Sequence, residues 1–150
     1  MKKILFVCTG NSCRSIMAEA YLKKLVSIDN ADIEVKSAGT LGIEGTLPPI
    51  EVFRVLEDEG IDAADYSSTP LTSASIEWAD LILVMEPRHR DTVLTVAPET
   101  SEKIKFLGEF DKERDDFIIA DPVGMSLDFY RESFESIKRP IKELITWLKK

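Results

Sequence analysis

The sequence is poor in cysteine and in positive charge, and both shortages exclude classes of protein. Among 150 residues there are two cysteines, too few for a scaffold held together by disulfides. Lysine and arginine number 19 against 27 aspartates and glutamates, which gives a net charge of −8 and a pI near 4.8. Proteins that bind nucleic acids normally have a basic surface, so we expect no nucleic-acid partner.

The sequence also lacks a long hydrophobic segment. Its first residues, MKKILFVCTG, contain two lysines and then an apolar run that is too short for the core of a signal peptide or for a membrane span. We therefore expect a first β-strand, a cytoplasmic protein and no membrane partner. There is no internal repeat, low-complexity tract or long linker, and 44% of the residues are hydrophobic, which predicts one well-packed domain over residues 1–150.

What the sequence does contain is a regular alternation of strand and helix patterns. This order predicts an α/β fold with a four-stranded parallel sheet, helices on both of its faces, and a site at the carboxyl ends of the strands. The predicted strands are Lys3–Val7, Ile33–Ser37, Asp80–Met85 and Lys103–Leu107. The predicted helices are Ser15–Ser27, Pro48–Glu59, a segment from Arg88, and an amphipathic helix from Ser126 to Lys149 with a kink at Pro140.

The loop between the first strand and the first helix, VCTGNSCRS, carries the strongest chemical signal. Backbone N–H groups that curl beside a helix N-terminus form a binding site for an anion. Gly10 permits a positive φ or a close approach of the backbone, and Arg14 can grip two oxygens of a tetrahedral anion. Cys8 stands in the same positive field, which favours the nucleophilic thiolate, and Ser15 could donate a hydrogen bond to its sulfur. The sequence therefore predicts a phosphate-binding loop that contains a nucleophile.

A second chemical group is expected in the carboxyl-terminal third of the chain. A thiolate that attacks a phosphomonoester must expel an alkoxide, phenoxide or amine, and an acid that protonates the leaving atom would accelerate this step about 10²- to 10⁴-fold. Asp121 is the best candidate, because it ends the apolar run in IIADP and because Pro122 restricts the chain there. A bound anion and a thiolate nearby would keep this carboxyl group protonated for the first step.

Four motifs in this order, VCTGNSCRSIMAEA, KSAGT, ADLILVM and IIADPVG, resemble the low-molecular-weight protein tyrosine phosphatase family over nearly the whole chain. The resemblance implies a hydrolase in which Cys8 becomes a cysteinyl phosphate, Arg14 binds the phosphoryl group, and Asp121 acts first as acid and then as base for water. It implies no metal or organic cofactor, and a monomer that acts on a phosphorylated protein substrate. The loop residues that would hold the phosphate are Thr9, Gly10, Asn11, Ser12, Cys13 and Arg14.

The same resemblance assigns supporting roles around the loop. Asn11, Ser15 and Ser37 match a network that orders the loop and tunes the thiolate. Cys13 matches a second cysteine that in relatives forms a reversible disulfide with the nucleophile. The family's ordering histidine has no counterpart around residues 65–68, and the chain's one histidine, His89, is expected on the surface.

Two departures from the tyrosine-directed members bear on the substrate. Val123 follows Asp121 and Pro122 where an aromatic residue usually stands, and LGIEGTLPP contains no aromatic residue, so the sequence lacks a stacking wall for a phenyl ring. Ser12 stands where tyrosine phosphatases usually have a large aliphatic residue and where bacterial phosphoarginine phosphatases have threonine. Phosphotyrosine in proteins is the first expectation, because it is the substrate of the wider family, and phosphoarginine is the alternative.

A third interpretation is a thioredoxin-coupled arsenate reductase, since these enzymes share the fold and the loop sequence CTGNSCRS. Arsenate mimics phosphate, so the same loop would bind it. Reduction needs further cysteines beyond the third strand to relay a disulfide away from the nucleophile, and the sequence has none after Cys13. A reductase is therefore a weaker interpretation than either phosphatase, and a non-catalytic phosphate-binding module is disfavoured because all three chemical groups are present.

Overall fold

A parallel four-stranded sheet forms the centre of the computed structural model, which describes residues 2–150. Its strands lie in the order β2-β1-β3-β4, and each adjacent pair is parallel. The prediction of a single α/β domain around such a sheet is confirmed; Met1, the first residue of the expected 1–150 domain, lies outside the described residues. The strands are β1 (Lys2–Cys8), β2 (Ile33–Gly39), β3 (Leu81–Val84) and β4 (Ile104–Phe106).

The helices agree with the predicted ones to within a few residues, with one addition. The addition is a six-residue helix that lies before the third strand, where no helix was predicted. It is held by Thr72, whose hydroxyl oxygen accepts the Ser75 N–H at 3.1 Å while the Ser75 hydroxyl oxygen accepts the Thr72 N–H, also at 3.1 Å. The helices are α1 (Arg14–Asp29), α2 (Ile50–Asp58), α3 (Ser73–Trp78), α4 (Pro87–Val96) and α5 (Leu127–Leu148), and there are 3₁₀ turns at Pro98–Lys103 and Leu107–Phe110.

The two faces of the sheet are covered by different helices. Successive side chains of a strand point to opposite faces, so Ile4 and Phe6 pack with residues of α1, α2 and α5, whereas Leu5 and Val7 pack with residues of α3 and α4. The side chains of β1 are buried on both faces, which explains why this strand is an unbroken apolar run in the sequence instead of an alternating one.

Helix α5 continues through Pro140 instead of ending there. Proline has no N–H, so the carbonyl oxygen of Ser136, four residues earlier, loses its usual partner in the helix. The Arg114 side chain donates a hydrogen bond to that oxygen at 3.4 Å. A side chain from outside the helix thus replaces the bond that the buried proline removes.

The strand order places the carboxyl end of β1 where an α/β sheet usually binds its ligand. The chain passes from β1 to β2 on one side and later to β3 on the other, and ligands bind in the crevice at such a switch point. Cys8 is the last residue of β1 and is paired with Gly39, the last residue of β2.

Gly39 allows the loop after β1 to fold directly over the end of β2. A Cβ atom at this position would stand 2.8 Å from the Thr9 carbonyl oxygen and 2.9 Å from both the Asn11 nitrogen and the Gly10 carbonyl carbon. All three are backbone atoms, which cannot move aside as the end of a flexible side chain can. The glycine in KSAGT is therefore required by the shape of the loop.

We expect Gly39→Ala to destabilise the fold by about 1–3 kcal/mol, because the added methyl group forces the backbone of the loop to shift. Gly10→Ala is the matched control for stability, since a Cβ there would meet only the Ser12 hydroxyl oxygen, at an ordinary 3.5 Å. Urea unfolding of both variants and the wild type measures the difference. Equal stabilities for Gly39→Ala and Gly10→Ala would contradict the close approach.

Candidate active site

The sulfur of Cys8 lies at the floor of the site, beside the first turn of α1. Its Sγ is 2.9 Å from the Ser15 hydroxyl oxygen. That oxygen accepts a hydrogen bond from Asn11 Nδ2 at 2.6 Å, which leaves the Ser15 hydroxyl hydrogen to point at the sulfur. The Ser15 hydroxyl is therefore a directed hydrogen-bond donor to the Cys8 sulfur.

Asn11 holds the loop in its curled conformation. It has a left-handed φ of 51°, which asparagine tolerates better than most residues. Its Nδ2 also donates to the Ser37 hydroxyl oxygen at 2.9 Å, and its Oδ1 accepts the Thr69 backbone N–H at 2.8 Å. Ser37 in turn donates to Glu19 Oε1 at 2.5 Å. Both polar atoms of the Asn11 side chain are therefore hydrogen-bonded.

Of the two roles expected of Gly10, the structure excludes the positive φ. Its φ is not positive, and the left-handed residue of the loop is its neighbour Asn11. The side-chain hydrogen bonds of Asn11 compensate for a conformation that glycine adopts at no steric cost. Gly10 instead lies on the floor of the cavity described below.

Arg14 is 1% exposed, so its positive charge is paired inside the protein. Its Nη1 donates to Glu86 Oε2 at 2.6 Å and to the Ile119 carbonyl oxygen at 2.8 Å. Its Nη2 lies 3.4 Å from the Thr9 hydroxyl oxygen and 3.7 Å from Asp121 Oδ2. Arg14 thus joins the loop after β1 to the start of α4 and to the segment that carries Asp121.

Glu86, which the sequence analysis did not single out, is the counter-ion of Arg14. Burial raises the pKa of its carboxyl group, but hydrogen bonds from Arg14 and Arg88 outweigh burial, and the net pKa is lowered. Glu86 is therefore ionised at neutral pH. Glu86 lies after β3 and directly before Pro87, the first residue of α4. Nothing in the sequence around it indicates that it pairs with Arg14.

Asp121 reaches the site because the segment before it is fixed to the sheet. The Ile119 N–H donates to the carbonyl oxygen of Met85, just beyond β3, at 3.1 Å. Two residues later Asp121 is exposed at the mouth of the site, and its Oδ1 accepts the Val123 N–H at 3.1 Å. Pro122 is buried beneath this turn and fixes the direction of the chain.

A cavity of about 260 Å³ opens above the loop. Its floor is polar, three of its five wall residues are aliphatic, and no aromatic side chain is among the described residues that line it. Leu41, Ile43 and Val123 are 61%, 44% and 58% exposed and form an apolar rim. The floor consists of Cys8, Thr9, Gly10, Ser12, Cys13 and Arg14, and the walls of Leu41, Ile43, Thr46, Asp121 and Val123.

Cys13 is the second thiol of the loop, and like Cys8 it is free. Its sulfur lies 3.7 Å from the Tyr130 hydroxyl oxygen and 3.7 Å from that of Ser12. Burial raises the pKa of the Cys13 thiol, although the hydrogen bonds with Tyr130 and Ser12 oppose the change. Cys13 is therefore a thiol at neutral pH.

The expectation that His89 lies on the surface is wrong. The side chain is 1% exposed, and its Nε2 is 2.8 Å from the Thr9 hydroxyl oxygen. His89 and Val93 are the two buried residues of α4, and they stand four apart, on one face of the helix. This spacing was the available signal, but the surrounding EPRHR is so polar that it suggested an exposed position.

The structure thus brings the expected residues to one end of the sheet. All of the loop residues 8–14 except Asn11 line the cavity together with Asp121, and Asn11 is buried beside Ser15 and Ser37, to which it is hydrogen-bonded. Across residues 2–150, no three histidine, cysteine, aspartate or glutamate side chains are grouped so that they could hold a metal ion. None of the helices in this part of the chain is long and apolar enough to cross a membrane.

Comparison with known proteins gives a consistent result. A family model described as low molecular weight phosphotyrosine protein phosphatase matches residues 3–150. A protein-arginine-phosphatase from Geobacillus stearothermophilus is 37% identical over 142 residues, 95% of this chain and 93% of that protein. A probable low molecular weight protein-tyrosine-phosphatase from Ralstonia nicotianae is 33% identical over 94% of this chain and 92% of its own length. The crystal structure of a low molecular weight protein tyrosine phosphatase from T. tengcongensis, 35% identical, superposes with a TM-score of 0.91 and covers 97% of this chain and 99% of that one.

Proposed function

Because this chain belongs to the low molecular weight phosphotyrosine protein phosphatase family, we propose that it hydrolyses phosphotyrosine in protein substrates through a cysteinyl phosphate on Cys8. One observation carries the proposal. The Cys8 sulfur, the Arg14 guanidinium and the Asp121 carboxyl group face a single cavity with a polar floor. A nucleophile, an anion receptor and an acid are the three groups that this reaction needs.

The phosphoryl group would bind on the floor of the cavity. Arg14 Nη1 is occupied by Glu86 and by the Ile119 carbonyl oxygen, which leaves the Nε–Nη2 edge of the guanidinium for two phosphoryl oxygens. The N–H groups of the loop and the N-terminus of α1 supply the remaining positive potential. The anion then lies directly above the Cys8 sulfur.

In the first step the Cys8 thiolate attacks phosphorus and forms the S–P bond while the P–O bond to the tyrosine breaks. Asp121, protonated at the start, gives its proton to the departing phenolic oxygen. In the second step the Asp121 carboxylate takes a proton from water as the water oxygen attacks phosphorus. The S–P bond breaks, the thiolate is restored and inorganic phosphate leaves, so both residues end as they began.

The conditions under which this chemistry operates also follow from the chain. Two free thiols, one of them the nucleophile, fit a reducing compartment, and we place the protein in the cytoplasm.

Two other functions are disfavoured by the sequence. The net charge of −8 makes a nucleic-acid partner unfavourable. A reductase would need a third thiol to relay a disulfide, and the sequence contains two cysteines.

A second candidate substrate is phosphoarginine in proteins. Two observations favour it: the lining of the cavity lacks the aromatic wall that a phenyl ring would stack on, and the Ser12 hydroxyl lies on the floor where it could bond a guanidinium. The Geobacillus relative bears the name of an arginine phosphatase. The leaving group would then be a guanidine nitrogen, which takes its proton from Asp121.

We expect Cys8→Ser to reduce turnover of an aryl phosphate at least about a thousandfold, because a serine hydroxyl in the same place is a far poorer nucleophile than a thiolate. Phosphate binding should persist, since the loop N–H groups and Arg14 are unchanged. Steady-state kinetics and calorimetric titration with inorganic phosphate measure the two properties. Turnover within tenfold of the wild type would remove Cys8 from the nucleophile's role.

Asp121→Asn should show whether this residue is the general acid. Hydrolysis of substrates with a basic leaving group, such as phosphotyrosine, should fall about 10²- to 10⁴-fold, while an activated aryl phosphate, whose phenoxide leaves with little help, should lose much less. A series of aryl phosphates of increasing leaving-group pKa measures this dependence. Asp115→Asn, in an exposed loop, is the control and should behave as the wild type. An equal loss across the series would exclude the acid role.

Substitution of Ser12 should separate the two substrate classes. Ser12→Ile removes the hydroxyl that a guanidinium would bind and adds an apolar surface for a phenyl ring, so the ratio of phosphotyrosine to phosphoarginine turnover should rise about tenfold or more. Peptides that differ only in the phosphorylated residue, assayed for released phosphate, give the ratio. If the ratio stays constant, Ser12 does not select the substrate.

A further inference from the structure

His89 is a buried polar residue to which the proposed reaction assigns no task. Its Nε2 is bonded to the Thr9 hydroxyl oxygen, whereas its Nδ1, also buried, has no hydrogen-bond partner among the described residues. A buried polar group without a partner is costly, so this asymmetry constrains which of the two nitrogens carries the proton.

The proton belongs on Nε2. If Nδ1 carried it, an N–H donor would be buried without an acceptor, which folded proteins rarely tolerate. With the proton on Nε2, the donor is satisfied by Thr9 and only a bare ring nitrogen lacks a partner. Burial, assisted by the positive charge of Arg14, lowers the pKa of His89 to about 4, so at neutral pH the ring carries one proton.

This tautomer fixes the direction of the Thr9 hydroxyl. A hydroxyl group has two acceptor positions and one hydrogen. The Thr9 oxygen accepts from His89 Nε2 at 2.8 Å and from Arg14 Nη2 at 3.4 Å, which uses both acceptor positions. The hydroxyl hydrogen must then point elsewhere, and Thr9 lies on the floor of the cavity.

We propose that His89 is a positioning residue that turns the Thr9 hydroxyl into an obligate hydrogen-bond donor toward an oxygen of the bound phosphoryl group. His89 does not itself touch the substrate. It acts through Thr9, separately from the network in which Asn11 directs Ser15 toward the Cys8 sulfur. The proposal rests on the phosphatase function and adds to it a donor to the phosphoryl group.

The activity test uses two substitutions at His89 and one at Thr9. His89→Leu removes the donor and should lower kcat/KM for an activated aryl phosphate and the affinity for inorganic phosphate by about tenfold each, the size of one lost hydrogen bond. His89→Gln places an amide N–H near the former Nε2 and should recover most of both losses. Thr95→Ala, on the exposed side of α4, is the control and should leave both unchanged.

Thr9→Val tests whether His89 acts through the hydroxyl. The variant keeps the branched shape and loses the hydroxyl group, so in this background His89→Leu should cause no further loss. Full additivity of the two losses would overturn the proposal. So would a loss in His89→Leu that His89→Gln does not relieve.

The tautomer is measured independently of activity and of any variant. The chain has one histidine, so a ¹⁵N–¹H correlation spectrum of the labelled wild type contains a single imidazole. We expect a protonated Nε2 and an unprotonated Nδ1 at pH 7. A protonated Nδ1 would overturn the proposal even if every variant failed to fold. Absence of wild-type turnover on any phosphorylated substrate would instead refute the proposed function and leave the tautomer as measured.

Discussion

The buried positive charge of Arg14 is the constraint on which the arrangement of the site depends. Removing a guanidinium from water costs several kcal/mol unless charges and hydrogen bonds replace the lost solvent. Here the replacements come from three separate parts of the chain: the Glu86 carboxylate before α4, the Ile119 carbonyl oxygen two residues before Asp121, and the Thr9 hydroxyl. Satisfying one charge therefore brings the end of β3 and the segment that carries the acid to the loop that carries the nucleophile.

Around Arg14, side-chain hydrogen bonds fix the direction in which hydroxyl hydrogens point. Asn11 donates to Ser15, whose hydrogen is then left for the Cys8 sulfur, and the remaining atoms of Asn11 are held by Ser37 and Thr69. A network of this kind needs no rearrangement when negative charge develops on the sulfur or on the phosphoryl group, and preorganisation of this type is the main source of electrostatic catalysis.

Much of this could be predicted from the sequence, because the information is local. The alternation of apolar strands and amphipathic helices gives the sheet, and the spacing from Cys8 to Arg14 gives the anion loop. Two other features depend on contacts that one segment of sequence does not contain. The positive φ lies at Asn11 and not at Gly10, and the Asn11 side chain is held there by the backbone N–H of Thr69, 58 residues away in the chain. The burial of His89 involves a hydrogen bond with Thr9, 80 residues away in the chain. It could not be predicted because the residues beside His89 in the sequence are charged. Helix α3 was missed because six residues are too few to show a period, and its capping by Thr72 and Ser75 resembles a turn.

The apolar rim of the cavity is built separately from its floor. Leu41 and Ile43 belong to the segment after β2, and Val123 belongs to the turn after Asp121. All three side chains are exposed and apolar, so they take no part in the hydrogen bonds that fix the sulfur and the guanidinium. Substitution of these rim residues leaves the buried hydrogen-bond partners of Cys8 and Arg14 in place. It changes only the surroundings of the leaving group. Substitutions at this rim therefore change the environment of the leaving group at little cost in stability, while the groups that carry out the chemical step stay in place.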